Sequence, residues 1–118
     1  MNKALITSPI AVYGIPNCDT VKKARAYLTE QNIEYIFHDF KKQGVPADLM
    51  DIGLAQVGWE KLLNRKGTTW RKLDAATQAS VVDSASAKAV MMTEPSTIKR
   101  PVVVWNDGHV TVGFKNSF

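Results

Sequence analysis

The chain has 118 residues, enough for one modest core and too few for two domains of ordinary size. With 45% hydrophobic and 22% charged residues it has a globular composition, and its single cysteine excludes an internal disulfide framework and a Cys-rich zinc site. The net charge of +4 is scattered over Lys22-Lys23-Arg25, Lys41-Lys42, Arg65-Lys66, Arg71-Lys72 and Lys99-Arg100, with no long basic run, so no direct nucleic-acid contact is expected.

Met1–Ala11 has no sustained apolar stretch, and nothing approaches the length of a membrane-spanning helix. One unpaired thiol suits a reducing cytosol, so a cytoplasmic protein away from membranes is expected. Residues 1–10 are expected to form a poorly ordered N-terminal extension. Residues 11–118 are expected to form a single domain with a helical insert at about 47–92.

Ala11–Ile15 is apolar and predicts a short buried strand. Gly14 and Pro16 break it, and an amphipathic helix opens at Asn17 or Cys18, with Asn17 the expected N-cap. Val21, Ala24 and Leu28 make one apolar stripe on that helix, while Lys22, Lys23 and Arg25 fall largely off it. Gln31-Asn32 ends the helix, and Ile33–Phe37 predicts a second strand. A β-α-β unit of this kind is normally a right-handed parallel crossover.

Lys41–Pro46 predicts a loop. Ala47–Val57 predicts a helix, Trp59–Leu63 a further turn or two, and Asn64–Thr69 a loop. Leu73–Val82 and Ser84–Met92 predict two more helices, with a break and recap at Asp83-Ser84. Pro95 closes this helical stretch. Val102–Trp105 and Val110–Phe114 predict a hairpin around Asn106-Asp107-Gly108, and no further helix has room after it.

Cys18 lies where the first strand gives way to the first helix. Unpaired N–H groups and the positive end of the helix dipole favour thiolate there, and thiolate is the nucleophilic form. Cys18 is therefore the candidate catalytic residue. Thr20 can offer its hydroxyl to the sulfur or cap the helix, and Asp19 opposes thiolate while suiting the helix start. His38 and His109 are far apart, and no Cys/His/Asp grouping has metal-ligand spacing. Trp59, Trp70 and Trp105 are read as core or edge packing.

The β-α-β … β-β order with a cysteine at the first strand-helix junction resembles a thioredoxin-like fold. Three motifs narrow the resemblance: Tyr13-Gly-Ile-Pro-Asn-Cys-Asp-Thr-Val-Lys-Lys-Ala24, Leu63-Asn-Arg-Lys-Gly-Thr-Thr-Trp-Arg-Lys-Leu73 and Ile98-Lys-Arg-Pro-Val-Val-Val104. Together they resemble the bacterial ArsC/Spx family, most closely its YffB-type branch. The resemblance implies an α/β, glutaredoxin-like mixed four-stranded sheet with a helical insertion. It implies a nucleophilic Cys18 and substrate-binding roles for Arg100 and for Arg65 or Lys66. Pro101 is expected to follow a cis bond facing Cys18, and Asn17 and Thr20 border the same site. Guanidinium groups suit this task because they hold an oxyanion or carboxylate through paired hydrogen bonds and lower a nearby thiol's pKa.

The chain departs from the arsenate reductases at two points. Gly14 stands where they carry a histidine, and Val112-Gly113-Phe114-Lys115 supplies no arginine after the last hairpin. Val21 stands where the Spx regulators carry the second cysteine of Cys-x-x-Cys, so no internal disulfide switch can form. The expected function is a monothiol reductase with glutathione as co-substrate and no bound cofactor. Alternatives are an arsenate reductase acting on that oxyanion, and a non-enzymatic Spx-like adaptor whose protein partner is RNA polymerase. A monomer is expected.

Overall fold

The computed structural model describes residues 9–118, so most of the extension expected over residues 1–10 lies outside the described residues. The chain divides into two compact units: one holds the residues up to Phe40 together with Arg100–Phe118, and the other is Lys41–Lys99.

The first unit is a four-stranded mixed sheet. Strands β1 (Ile10–Gly14), β2 (Tyr35–Asp39), β3 (Val102–Val104) and β4 (Val110–Val112) lie in the order β2-β1-β3-β4. β1 runs parallel to β2, with Val12 opposite Phe37, and antiparallel to β3, with Val12 opposite Val103. The parallel step is made by helix α1 (Asp19–Glu30), whose apolar stripe Val21, Ala24 and Leu28 is buried as its spacing predicts. Val12, Leu28 and Val103 form a core cluster, bordered by Ile10, Ile33, Tyr35, Phe37 and Trp105. Trp105 is thus core packing, with its Nε1–H donating to Thr111 Oγ1 at 2.9 Å. The neighbouring positions Tyr13 and His38 alternate away from this cluster, and their rings pack 5.0 Å apart beside Phe40. His38 is an aromatic-cluster residue.

The second strand starts two residues later than the apolar run suggests. The reason is the end of α1, which closes as a complete Schellman motif. Asn32 takes φ 59°, its N–H donates to Thr29 O at 3.0 Å, and the Ile33 N–H donates to Leu28 O at 2.9 Å. Ile33 therefore completes a helix cap while its side chain joins the core, and pairing begins at Tyr35.

The second unit is helical. It contains α2 (Phe40–Gln43, beginning on the last residue of the first unit), α3 (Ala47–Val57), α4 (Trp59–Leu62), α5 (Thr68–Lys72), α6 (Ala75–Ser80) and α7 (Ser84–Thr93), followed by a 3-10 turn at Pro95–Thr97. Leu49, Met50, Leu62, Leu63, Ala87, Met91 and Ile98 are buried here. Gly58 at φ 85° ends α3 and starts α4, a turn that a side chain would strain. The recap expected at Asp83-Ser84 is a capping box: the Ser86 N–H donates to Asp83 Oδ1 at 2.9 Å, and the Asp83 N–H to Ser86 Oγ at 3.0 Å.

Three expected boundaries in this unit change. The loop over Lys41–Pro46 begins with the single turn α2. The loop over Asn64–Thr69 ends in α5, a short helix whose last carbonyls are met partly by a side chain, Gln78 Nε2 donating to Trp70 O at 2.8 Å. The helix expected from Leu73 starts at Ala75 because the Asp74 carboxylate caps it, accepting from the Thr77 N–H at 2.9 Å. Among the described residues, no helix is long and apolar enough to cross a membrane.

The Schellman motif makes a direct prediction. A left-handed residue with a β-carbon costs about 1 kcal/mol unless a short polar side chain eases it. Asn32→Ala should lower stability in urea unfolding by roughly that amount, whereas Asn32→Gly should leave it unchanged or slightly raised.

Candidate active site at the head of the first helix

The site begins with a close approach of backbone to side chain. β1 ends at Gly14, where a β-carbon would lie 2.8 Å from Val21 Cγ2. Val21 is fully buried and branched at Cβ, so it cannot swing aside freely. Glycine thus lets the strand end lie against the first turn of α1. The chain then turns through Ile15-Pro16-Asn17 and enters the helix.

Cys18, and not Asn17, is the N-cap. Its backbone is extended, φ −124° and ψ 124°, and its carbonyl accepts the first helical bond from the Lys22 N–H at 2.9 Å. Asn17 stays outside the helix with its side chain exposed. The physical reason lies in the packing on either side: Gly14 against Val21 fixes where the helix starts. Cys18 closes no conventional side-chain cap bond.

The thiol is half-buried and free. Burial pushes its pKa up, but the opposing groups win. The backbone N–H of Val21, the Arg100 guanidinium through a hydrogen bond and its charge, and the backbone N–H of Thr20 together hold Cys18 below its ordinary value. Val21 and Thr20 are the third and second residues of the helix, the positions whose amides have no helical acceptor. Thr20 therefore acts on the sulfur through its amide. Asp19 is exposed in the first turn, where a carboxylate complements the helix's positive end.

Arg100 reaches this sulfur from the far end of the sequence. It precedes Pro101 across a cis peptide bond, as the resemblance implies. Pro101 is buried at the start of β3, and its carbonyl accepts from the Gly113 N–H at 2.9 Å, which ties the arginine's base to the last hairpin. Cys18, Thr20, Arg100 and Pro101 thus belong to one sheet unit.

Arg65 and Lys66 belong to the helical unit, in the loop after α4. Arg65 Nη2 lies 3.9 Å from Glu60 Oε2, and its guanidinium sits 5.4 Å from the Trp59 ring centroid. Trp59 is thus half-buried beneath an arginine. The Lys66 N–H donates to Asn64 Oδ1 at 3.2 Å, which shapes the loop as an Asx turn. Sequence reasoning did not single out the amide of Val21, although its position three residues after the cysteine is the signal. Among the described residues, no group of three His, Cys, Asp or Glu side chains is placed to hold a metal ion.

A mixed sheet in this order, with a cysteine at the N-cap of the helix after β1 and an arginine–cis-proline step ahead of β3, defines a thioredoxin-like protein. The model of the ArsC family matches residues 13–117, and the chain belongs to that family. The solved YFFB protein is 45% identical with a TM-score of 0.84, the match covering 91% of this chain and 92% of that one. An arsenate reductase (ArsC) related protein from Brucella melitensis is 50% identical with a TM-score of 0.73, covering 92% of this chain and 89% of that one. An uncharacterized protein of Haemophilus influenzae is 42% identical over 105 residues, 89% of this chain and 90% of the relative.

The lowered thiol pKa has a definite sign. The thiolate prevails above the folded-state pKa and is lost as the pH falls through it. The same difference stabilises the fold above the unfolded thiol's pKa, a contribution that disappears as the pH falls through the folded value. Alkylation of Cys18 by iodoacetamide should follow a titration with its midpoint below ~8.5. Arg100→Met should move that midpoint upward and slow alkylation near pH 7 by about tenfold, since a hydrogen bond to a charged group contributes at least ~1.5 kcal/mol.

Gly14→Ala forces Val21 to shift and should cost about 1–3 kcal/mol by overpacking. It should also raise the alkylation midpoint, because the Val21 amide moves with its side chain. Thermal unfolding and the pH profile of alkylation check the two effects separately.

Proposed function

We propose that this protein is an arsenate reductase-like thiol reductase in which Cys18 works as the only protein thiol and glutathione is the co-substrate. The observation that carries this reading is the Cys18 sulfur at the head of α1, held toward thiolate by two helix amides and Arg100 while still partly open to solvent. A structural cysteine gains nothing from that environment, whereas a nucleophile does.

The chemistry has two exchanges. Cys18 thiolate attacks the glutathionyl sulfur of a glutathione mixed disulfide, the S–S bond of that disulfide breaks as Cys18–S–S–glutathione forms, and the other thiol leaves as its thiolate. A second glutathione thiolate then attacks that disulfide, restores Cys18 thiolate and leaves as glutathione disulfide. One free glutathione thiolate enters per cycle, the other half of the glutathione disulfide comes from the substrate, and no bound cofactor is used. Arg100 keeps the attacking sulfur ionised and steadies it again as a leaving group. By family resemblance, Arg65 or Lys66 holds the substrate's carboxylate or oxyanion. A reducing cytosol would supply the glutathione, and a monomer suffices for every step.

Arsenate reduction is the second reading, favoured by the 50% identity to a protein described as related to arsenate reductase. Gly14 and the absence of arginine at Val112–Lys115 weigh against it, because both leave less positive charge for an oxyanion.

A glutathione reductase-coupled assay tests both readings through NADPH oxidation. With hydroxyethyl disulfide and glutathione the native protein should turn over, and Cys18→Ser should lose at least a hundredfold of that rate. Equal rates in the two proteins would overturn the mechanism. NADPH oxidation driven by millimolar arsenate, with no turnover of the disulfide, would establish the second reading in its place.

A further inference from the structure

An aromatic cluster at the other end of α1 from the sulfur has no part in the chemistry described so far. Tyr27, in the last turn of α1, lies 5.6 Å from Phe114 and 5.9 Å from Phe118 between ring centroids. Phe114 and Phe118 lie 4.8 Å apart, and Phe118 meets the Trp105 ring edge-on at 5.1 Å. These separations fall in the roughly 4.5–7 Å range in which tilted and edge-on rings attract. Trp105 anchors the cluster from within, since it borders the Val12-Leu28-Val103 core and is bonded to Thr111.

The rings span the two pieces of the sheet unit that act on Cys18. One is α1, whose first-turn amides face the sulfur. The other is the last hairpin, whose strands β3 and β4 have three residues each and are short for a hairpin that must hold its own register. Beyond β4 the Gly113 N–H donates to Pro101 O at 2.9 Å, and Pro101 follows Arg100 directly. Gly113 takes φ 81°, which turns the chain out of β4, and the next residue is Phe114 against Tyr27. No strand or helix follows β4 among the described residues, and the rings supply this segment's packing on α1.

We propose that Phe114 and Phe118 are positioning residues for the Cys18 thiolate: they clasp Tyr27 to Trp105, and through Gly113 and Pro101 this clasp holds the Arg100 guanidinium at the sulfur. The inference rests on the reading of Cys18 as the nucleophile and adds residues that act on it only through Arg100. A hydrogen bond weakens steeply as its donor drifts or tilts, so the base of the arginine must be held closely. The Val12-Leu28-Val103 core joins α1 to β1 and β3, and the clasp joins α1 to the segment beyond β4. Arg100 is thereby steadied from both strands of the hairpin.

The test is a double-mutant cycle read by the pH profile of Cys18 alkylation with iodoacetamide. Phe114→Leu with Phe118→Leu keeps apolar bulk and removes the ring pairs. It should raise the midpoint and slow alkylation near pH 7 about threefold, the low end of what mutations within a packed connection transmit. The same two changes in an Arg100→Met protein should leave the profile where Arg100→Met alone puts it, since both act through one group. Phe114→Tyr with Phe118→Tyr keeps the rings and should keep the native midpoint. Ala87→Gly, on the buried face of α7, should lower the melting temperature without moving the midpoint, which separates positioning from loss of stability.

A native midpoint in the double leucine variant overturns the inference, and so does an equal upward shift when Arg100 is already replaced. If the double variant does not fold, Phe118→Leu alone, at a ring 39% exposed, carries the same readout. An Arg100-dependent shift in a protein that turns over no disulfide with glutathione overturns the reductase reading and leaves the clasp standing.

Discussion

The contest at the Cys18 sulfur, between burial that disfavours charge and three groups that favour it, is the constraint to which the sheet unit is built. Two of those groups are amides left open by the start of α1, and they exist only if the helix begins after Cys18. The third is the guanidinium of Arg100, carried in by β3. Each depends on a piece of packing elsewhere. Gly14 lets β1 end against Val21, and Val21 sets the first turn. Pro101 is tied to Gly113 through its carbonyl, and that tie fixes the segment from which Arg100 projects.

The fold explains why a single thiol can be handled this way by so small a chain. A parallel β-α-β crossover brings the C-terminal end of β1 and the N-terminus of α1 to the same edge of the sheet, where helix amides face outward. The antiparallel β3 then enters beside β1, so its first residues arrive at the same edge. Helix dipole, open amides and guanidinium act on one atom. The desolvation cost is modest because the sulfur remains half-exposed, and reactivity toward an external thiol needs that exposure.

The helical unit solves a different problem. It brings Lys99 beside the Lys61–Lys66 segment by means of a three-residue ladder rather than a full sheet. Its own core supplies the rigidity, and capping at Asp74 and Asp83 supplies the turns that let six short helices follow one another. Asp83 shows how local this device is: its carboxylate, drawn below the usual range by the Ser86 amide and hydroxyl, is fully solvated, yet it sets the start of α7.

Much of the sheet unit was legible in the residues. The stripe Val21-Ala24-Leu28, the β-branched run at Val102–Val104 and the turn at Asn106-Asp107-Gly108 each carry their structure in nearest-neighbour chemistry, so periodicity and turn residues sufficed. The three motifs likewise marked the family, and Cys18 stood out because a lone polar-flanked thiol at a strand-helix junction has few structural uses. Boundaries were less legible where a cap competes with a strand or helix. Asn32 and Ile33 satisfy the end of α1 before β2 can start, and Cys18 replaces Asn17 at the cap because Gly14–Val21 packing, a contact across the strand-helix turn, fixes the helix start.

By itself, then, the order of residues determined most of the element types and placed Cys18 at the strand-helix junction, since those follow from local backbone preference and hydrophobic period. Only the tertiary structure decided that Arg100 acts on the Cys18 sulfur, and that Lys99 joins the Lys61–Lys66 segment. Electrostatic effects depend on distance in space, and strand pairing brings together groups that dozens of residues keep apart along the chain.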